Sequence, residues 1–412
     1  MSHPPAFLPP ASPLQQRALG QAEFIALIAM LFATIAFSID AMLPALPEIA
    51  AELSPDAPNK AQLILTSFVF GMGVGTLFAG PMSDSFGRKT VIVGGALLYC
   101  VGALLAYVAP SLETMLLARV LQGLGAAGPR VVSLALVRDV HSGPRMARIV
   151  SFAMMIFTLV PAVAPLFGQY IIAGFGWRSI FLAFLVFSGV SVLWLMIRQP
   201  ETLLPEGRRP FRAAPLLAAL REVMALRSIR LSILAQTLGF AALFGTISST
   251  QQLFDQTYGR AETFPLYFAL IALIAGSSSL LNASLVMRLG MRRLVRVSFA
   301  TQALVSGAFV IAFALNLWPA PEVLAVEFFA YLVWTIGVFF MVGMTIGNLN
   351  ALALEPVGHI AGMAASVVGA ISTVFSVILA IPVGLAYDGT PLPLMIGVMI
   401  FTGLAYAVVR RL

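Results

Sequence analysis

The stretch GPMSDSFGRK at positions 80–89 is a short charged segment that separates two long apolar runs, 61–80 and 90–109. A helix needs about 20 apolar residues to cross a bilayer, and each run is long enough. The segment is therefore expected at a membrane face, and its Arg88-Lys89 pair indicates the cytoplasmic face. One carboxylate, two glycines and two cations in so short a turn suit a latch between two helix ends.

Composition places the whole chain in a membrane. Of its 412 residues, 60% are hydrophobic and 10% are charged, whereas soluble proteins carry about 25% charged residues. The net charge of +7 reflects arginines that set topology, so it does not indicate nucleic acid. The single cysteine, Cys100, excludes an internal disulfide, and the three histidines are too scattered for a metal site. The sequence contains no nucleophile–base or metal-binding pattern of the kind that an enzyme would need, so we do not expect an enzyme.

Apolar runs predict an all-α membrane protein with twelve spanning helices, because helices are the natural spanning element for runs of this length. The predicted spans are 24–43, 61–81, 90–109, 114–136, 147–172, 177–197, 228–252, 264–287, 294–315, 325–350, 359–385 and 392–409. With the N-terminus inside, and with residues at span ends counted with the adjoining loop, 19 of the 24 cations fall on the inside, three on the outside and two deep within spans. This bias predicts that both termini are cytoplasmic.

The chain is expected to consist of two similar halves. The longest polar interruption, about 198–227, divides the spans six plus six. The sequence GRK at 87–89 follows span two, and GMRR at 290–293 follows span eight. A parallel repeat of this kind is a transporter architecture with the substrate path between the halves. The expected parts are a disordered tail at 1–20, an N-terminal half at 21–198, a central cytoplasmic loop at 199–226 and a C-terminal half at 227–412.

The segment at 80–89 resembles the signature that the major facilitator superfamily carries between its second and third helices, G-x-x-x-D-x-x-G-R-K/R. Gly80, Asp84, Gly87, Arg88 and Lys89 occupy the matching places. The resemblance covers 24–410 and implies the major facilitator fold.

Further stretches resemble the Bcr/CflA drug-resistance branch of that superfamily. They are IDAMLPALP at 39–47, RVLQGLGAA at 119–127 followed by Arg138-Asp139, and AGMAAS at 361–366. The resemblance implies a proton-coupled exporter that moves chloramphenicol- or bicyclomycin-like compounds outward across the bacterial inner membrane by alternating access. It implies no cofactor besides the proton gradient, and we expect a monomer surrounded by lipid. The alternative is a major facilitator transporter of an endogenous metabolite, by efflux or by symport uptake.

Two charged residues within spans are candidates for coupling protons to substrate. A carboxylate such as Asp40 would cost several kcal/mol if it faced lipid, so it is expected to face a cavity or a partner. Arg119 lies at similar depth on span four and is expected to pair with Asp40, directly or through water. The resemblance links both positions to proton and substrate binding. The alternatives are an aspartate already at the outer interface and a static arginine that holds backbone carbonyls.

A cytoplasmic gate is predicted around the signature. Asp84 is expected to accept hydrogen bonds from a helix N-terminus or from a nearby arginine such as Arg138, and the alternative is a loop that serves topology alone. Glu23 is interpreted as a first-turn carboxylate favoured by the helix dipole. Arg130 lies deep in span four, and the sequence leaves open whether it lines the inner end of the cavity.

The remaining candidates are expected to line the cavity, where Met and Phe suit adaptable binding of varied amphipathic molecules. They are Phe37, Gln122, Met155, Pro165, Gln236, Phe240 and Asn348. Pro161 and Pro165 predict a kink in span five. Pro165 and Gly168 match the branch's antiporter motif, whereas Ala164 and Gln169 depart from it.

Overall fold

A computed structural model describes residues 19–208, 210–315, 317 and 324–412, and within them the chain forms fourteen α-helices. They are α1 (Gln21–Asp40), α2 (Leu46–Leu53), α3 (Leu63–Phe86), α4 (Arg88–Tyr107), α5 (Leu112–Val140), α6 (Gly143–Phe175), α7 (Ser179–Arg198), α8 (Ala213–Ala225), α9 (Arg227–Gln252), α10 (Phe264–Leu289), α11 (Met291–Ala314), α12 (Leu324–Leu354), α13 (Ala361–Leu385) and α14 (Leu392–Val409). Most of the expected tail, with Arg17, lies outside the described residues, as does Arg209 of the central loop.

The long helices confirm the predicted all-α membrane fold. In the described part of the chain, eleven continuous stretches are long and apolar enough to cross a membrane, and one of them, Val326–Leu385, contains α13 and all but the first two residues of α12. Twelve spanning helices result, each coinciding with a predicted span. Helices form there because a lipid-exposed backbone must satisfy its own hydrogen bonds. The protein is therefore a multi-pass integral membrane protein.

The loops define two ends of the helix bundle. We call the end with 80–89 and 199–226 the signature face, and the opposite end with 54–62 and 253–263 the far face. At the signature face, Gly87 joins α3 to α4 with φ 101°, and Gly290 joins α10 to α11 with φ 77°. Residues with a side chain rarely adopt a positive φ, so both of these chain reversals depend on glycine. In each half, a glycine with positive φ thus joins the second spanning helix to the third, which is a similarity between the two halves.

The first span is longer than the predicted 24–43. α1 ends at Asp40, but a 3-10 turn and α2 continue to Leu53 in one stretch of 33 residues. Pro44 and Pro47 stand where the helix breaks, because proline removes a backbone donor. Asp40 therefore lies inside this stretch and not at its end, and it is 5% exposed.

The central loop contains a helix, α8, that the sequence analysis does not predict. Leu216, Leu220 and Val223 recur at helical spacing and pack into an apolar cluster with α13. On the same helix, Oε1 of Glu222 lies 2.8 Å from Nε2 of His359, just before α13. These contacts attach the end of the central loop to the second half.

Helix α5 forms the centre of the first half because glycines let its neighbours approach closely. A Cβ atom at Gly123 would overlap the carbonyl oxygen of Phe68 in α3, and one at Gly71 would overlap that of Val120. Small residues permit such backbone contact in membrane helices. The two halves meet where α3 packs against α13 and α6 against α10.

The substitution Gly123→Ala is expected to lower thermal stability, because the new methyl group would overlap the Phe68 carbonyl. Overpacking of this kind costs about 1–3 kcal/mol. Gly94→Ala on α4 is the matched control, since a Cβ atom there meets nothing within 4 Å. Thermal unfolding of both purified variants in detergent measures the difference. Equal midpoints would contradict the close contact between α3 and α5.

Candidate functional site

A cavity of about 560 Å³ lies between the two halves. Helices α1, α3, α5 and α6 line it from the first half, and α9, α10, α12 and α13 line it from the second. Its wall contains Phe157, Phe240, Phe244 and Phe339, and the rings of Phe240 and Phe244 stack at 5.8 Å. Small-molecule sites occupy about 300–1,000 Å³ and are mostly apolar, so the cavity suits an amphipathic small molecule.

Two charged residues mark opposite ends of this cavity. Among the described lining residues, only Asp40 and Arg130 carry charge. Asp40 lies toward the far face, and no group in the described part of the chain donates a hydrogen bond to its carboxylate. Arg130 lies toward the signature face and is exposed, with Nη1 3.6 Å from Sδ of Met72. The cavity therefore combines an apolar wall with one acid and one cation.

Side-chain hydrogen bonds join the two halves at the far face. Gln62 Nε2 donates to Gln252 Oε1 at 2.6 Å, and Ser249 Oγ donates to Gln62 Oε1 at 3.1 Å. Gln252 Nε2 also donates to Asn59 Oδ1 at 2.8 Å, and Asn59 Nδ2 donates to the Tyr387 carbonyl at 2.9 Å. These contacts separate the cavity from the far face.

Arg119 forms no direct ion pair with Asp40. It is fully buried and donates from Nε to the Ile64 carbonyl at 3.3 Å and from Nη2 to the Ser38 carbonyl at 3.1 Å. Its Nη1 donates to Gln122 Oε1 at 2.6 Å. These neutral acceptors occupy the guanidinium, so the arginine joins α1, α3 and α5 instead of neutralising the acid.

The backbone on both sides of Asp40 is held in place. Two residues before it, Ser38 presents its carbonyl to Arg119 and shares a 2.5 Å hydrogen bond with the Tyr99 hydroxyl. One residue after it, the Ala41 carbonyl lies against Gly168 of α6, where a Cβ atom would overlap it. Asp40 is thus fixed in position by its neighbours while its own carboxylate stays without a partner among the described residues.

The structure assigns other places to several residues expected in the cavity wall. Phe37 packs against two phenylalanine rings of α7, at 5.5 and 5.2 Å, and does not line the cavity. Gln122 is fully buried beside Arg119, and Gln236 is 2% exposed outside the wall. Met155 is 53% exposed and also lies outside the wall. Apolar residues surround each of these helices, so the sequence pattern does not reveal which side of a helix faces the cavity.

Of the other three candidates, two lie at or near the wall and Pro165 does not. Phe240 is part of it. Asn348 lies behind it and donates from Nδ2 to Oδ1 of Asn282, a lining residue, at 2.7 Å. Pro161 lines the cavity in place of Pro165, one helical turn nearer the signature face.

The signature segment forms an ion-pair cluster within the first half. Arg88 donates from Nε to Asp139 Oδ2 at 2.9 Å and from Nη1 to both Asp84 and Ser83. Asp84 thus pairs with a nearby arginine, as expected, but Arg138, the example given from the sequence, is exposed and forms no ion pair with it in the described residues. Arg88 takes that place because it begins α4 directly opposite the last turn of α3.

The signature also faces the start of α13. Asp84 and Arg138 border a space of about 90 Å³ whose opposite side is formed by Gly362 and Ser366 of α13. This space separates Asp84 from the start of α13, so the N-terminus of α13 does not donate the hydrogen bond that was one of the two expectations for Asp84. The gap lies between the two halves, where movement of one half toward the other would change it.

Glu201, which the sequence analysis does not identify, caps the signature. Its Oε1 accepts from the backbone N–H of Arg88 at 2.9 Å, and its Oε2 accepts from that of Lys89 at 3.0 Å. A carboxylate at this place satisfies free N–H groups and complements the helix dipole of α4. A Cβ atom at Gly87 would lie 2.6 Å from Oε2, so the glycine leaves room for the cap.

Glu23 is part of a structural contact at the signature face. Arg198 donates to its two oxygens from Nε at 2.8 Å and from Nη2 at 2.9 Å. Trp194 Nε1 adds a third hydrogen bond at 3.1 Å. The carboxylate thus connects α1 with α7. Its partners on α7 stabilise it in addition to the dipole of α1.

A twelve-helix membrane bundle in two similar halves, with a small-molecule cavity between them, defines a transporter. The chain belongs to the Major Facilitator Superfamily, whose sequence model matches residues 26–384. Members of this superfamily are transporters and not enzymes, so the protein moves a small-molecule substrate.

The chain is similar to proteins with drug-resistance names, as the sequence motifs predict. It is 30% identical to a bicyclomycin resistance protein homolog of Haemophilus influenzae over 355 residues, covering 84% of this chain and 85% of that protein. It is 31% identical to multidrug resistance protein MdtL of Escherichia coli over 336 residues, covering 80% of each. A D-xylose-proton symporter matches at TM-score 0.75 and 13% identity, covering 94% of this chain and 97% of that one, a likeness of fold alone.

Replacement of the capping acid, Glu201→Ala, is expected to loosen the signature face. The backbone donors of Arg88 and Lys89 lose their acceptor, and loss of a helix cap costs about 0.5–2 kcal/mol. Trypsin is then expected to cut the central loop after Arg208 several-fold faster than in the wild type. Glu206→Ala in the same loop is the control, since Glu206 is exposed and unbonded among the described residues. Equal cleavage rates in both variants would show that the cap has no such effect.

Proposed function

We propose that the protein is a proton-driven exporter of small amphipathic drugs in the bacterial cytoplasmic membrane. The observation that carries the proposal is Asp40, whose carboxyl group lines the cavity between the halves without a hydrogen-bond partner among the described residues. An acid inside a membrane protein marks a functional site by default. Such a group can bind either a proton or a polar group of the substrate.

The distribution of positive charge supports the direction of transport. Inside segments, as assigned from the sequence, hold 19 of the 24 lysines and arginines and include the signature face. The signature face is then cytoplasmic. With the halves joined by hydrogen bonds at the far face, the proposed cycle begins with a compound that enters the cavity from the cytoplasm.

Names of the relatives support drugs as the exported class. The bicyclomycin resistance homolog and MdtL each align with at least 80% of this chain. The phenylalanine-rich wall agrees with an amphipathic substrate better than with a sugar, which would need many polar contacts. An endogenous metabolite with an apolar body stays the second candidate on the same ground.

The cycle follows from competition at Asp40. A compound that enters from the cytoplasm displaces the proton on Asp40, and the halves then rock about the cavity. The far-face bonds of Gln62 and Asn59 break, while the space between Asp84 and α13 closes. After release, a proton from outside returns to Asp40. Because both ligands use one site, exchange needs no long-range coupling.

Substitution of the coupling acid, Asp40→Asn, is expected to abolish uphill transport, because the amide cannot exchange a proton in this cycle. Transport is measured in proteoliposomes with an imposed pH gradient, using chloramphenicol-like compounds, cationic dyes and amphipathic carboxylates. Glu48→Gln is the matched control, since Glu48 is an exposed acid on the same span and lies outside the cavity.

Three outcomes separate the alternatives. Gradient-driven transport that is lost in Asp40→Asn and kept in Glu48→Gln supports the exporter. Equal gradient-driven transport in Asp40→Asn would place the proton carrier elsewhere. If no compound of the panel moves in the wild type, drug export is contradicted and metabolite transport takes its place.

A further inference from the structure

Arg130 is a charged side chain within a membrane span that the transport cycle proposed above does not use. It lies ten residues before Val140, the end of α5, which is about 15 Å along the helix axis. It lines the cavity at the end opposite Asp40, and Met72 Sδ at 3.6 Å is the one hydrogen-bond acceptor within reach in the described structure. No ion pair involves it among the described residues.

Four other arginines of the first half have stronger partners. Three of them form ion pairs: Arg88 with Asp139, Arg178 with Glu52, and Arg198 with Glu23. Arg119 is held by carbonyl and amide oxygens. Arg130 therefore stands out as an intramembrane guanidinium with its N–H donors turned to an open cavity.

A guanidinium at this depth is costly unless it faces water or an anion. It stays charged at every physiological pH and presents five N–H donors in a planar fork that matches a carboxylate. Packing alone does not require an arginine at this position, because a neutral side chain would fill the same space without the cost of removing a charge from water. A role in binding therefore explains the arginine better than a role in packing.

A second donor lies in the same end of the cavity. Asn282 on α10 lines the cavity, and its Oδ1 accepts from Asn348 Nδ2 at 2.7 Å. Asn348 Nδ2 also donates to the Met344 carbonyl at 2.9 Å, which fixes the orientation of its amide. The Asn282 amide nitrogen is then left as a donor without a partner in the described residues. Arg130 and Asn282 together offer donors and no free carboxylate.

We propose that Arg130 and Asn282 bind a carboxylate or equivalent anionic group of the transported compound. The phenylalanine wall would hold the apolar body, and Asp40 at the opposite end would meet the group that exchanges with the proton. The proposal rests on the transport function above, because it names the chemistry of the substrate. It predicts that the exporter prefers amphipathic anions and zwitterions to their neutral analogues.

The test compares naphthylacetate with naphthylacetamide, which share the aromatic body and differ in the charged group. Equilibrium binding is measured by probe fluorescence on the full-length protein in detergent, without a pH gradient. The variants are Arg130→Gln, Arg130→Lys and the control Arg148→Gln. Arg148 has its guanidinium 5.7 Å from the Phe152 ring and lies outside the cavity, and its substitution removes the same charge.

The expected result is a loss of about 10- to 100-fold in naphthylacetate affinity in Arg130→Gln, the usual range for a charged hydrogen bond. Naphthylacetamide binding changes less than about 3-fold, Arg130→Lys keeps part of the preference, and Arg148→Gln matches the wild type. If Arg130→Gln does not fold, Asn282→Ala is expected to reduce the preference for the anion several-fold. A wild type without the preference, or an unchanged preference in Arg130→Gln, would overturn the proposal.

A further arm separates a substrate from a lipid headgroup. Phosphatidylglycerol added to the micelles, or inorganic phosphate, must leave naphthylacetate binding unchanged in the wild type. Competition by either one that disappears in Arg130→Gln would assign the site to phosphate and overturn the substrate proposal. Because binding is measured without a gradient, loss of gradient-driven transport with intact Arg130-dependent binding contradicts the exporter alone. Gradient-driven transport without any effect of Arg130 contradicts this inference alone.

Discussion

A fully buried guanidinium, that of Arg119, is the constraint on which the first half of the molecule depends. It must find oxygen acceptors inside the membrane, and it finds them on the backbones of α1 and α3 and on Gln122 of its own helix. The Phe68 ring lies 4.4 Å from its centre and adds a cation–π contact. Three helices are thereby held in one arrangement, and Asp40 on α1 is held with them.

The two intramembrane arginines of α5 have different roles because their surroundings differ. Arg119 lies where glycines bring α3 and α4 against α5, so its donors are enclosed by backbone. Arg130 lies further along the helix, where α5 borders the cavity and its donors are open. One arginine therefore contributes to the rigidity of the half, and the other contributes to the electrostatics of the space between the halves.

The sequence is sufficient for the fold because each span is a long apolar run, and apolar length alone specifies a membrane helix. It is also sufficient to single out Asp40 and Arg130, since charges are rare inside spans. It cannot pair Glu201 with Arg88, because the two lie 113 residues apart. It cannot orient Phe37 either, because the spans are apolar on all sides. The helical spacing of Leu216, Leu220 and Val223 is a signal from which α8 could have been predicted.

The far-face contacts have a consequence for the environment in which the protein works. Asn59, Gln62, Ser249 and Gln252 meet through amides and a hydroxyl, and none of these groups carries charge or titrates near neutrality. Ionic strength screens charges and leaves such bonds largely untouched. The closure of the far face is therefore expected to respond little to ionic strength or to pH near neutrality, so that changes in either would leave the separation of the cavity from that face intact.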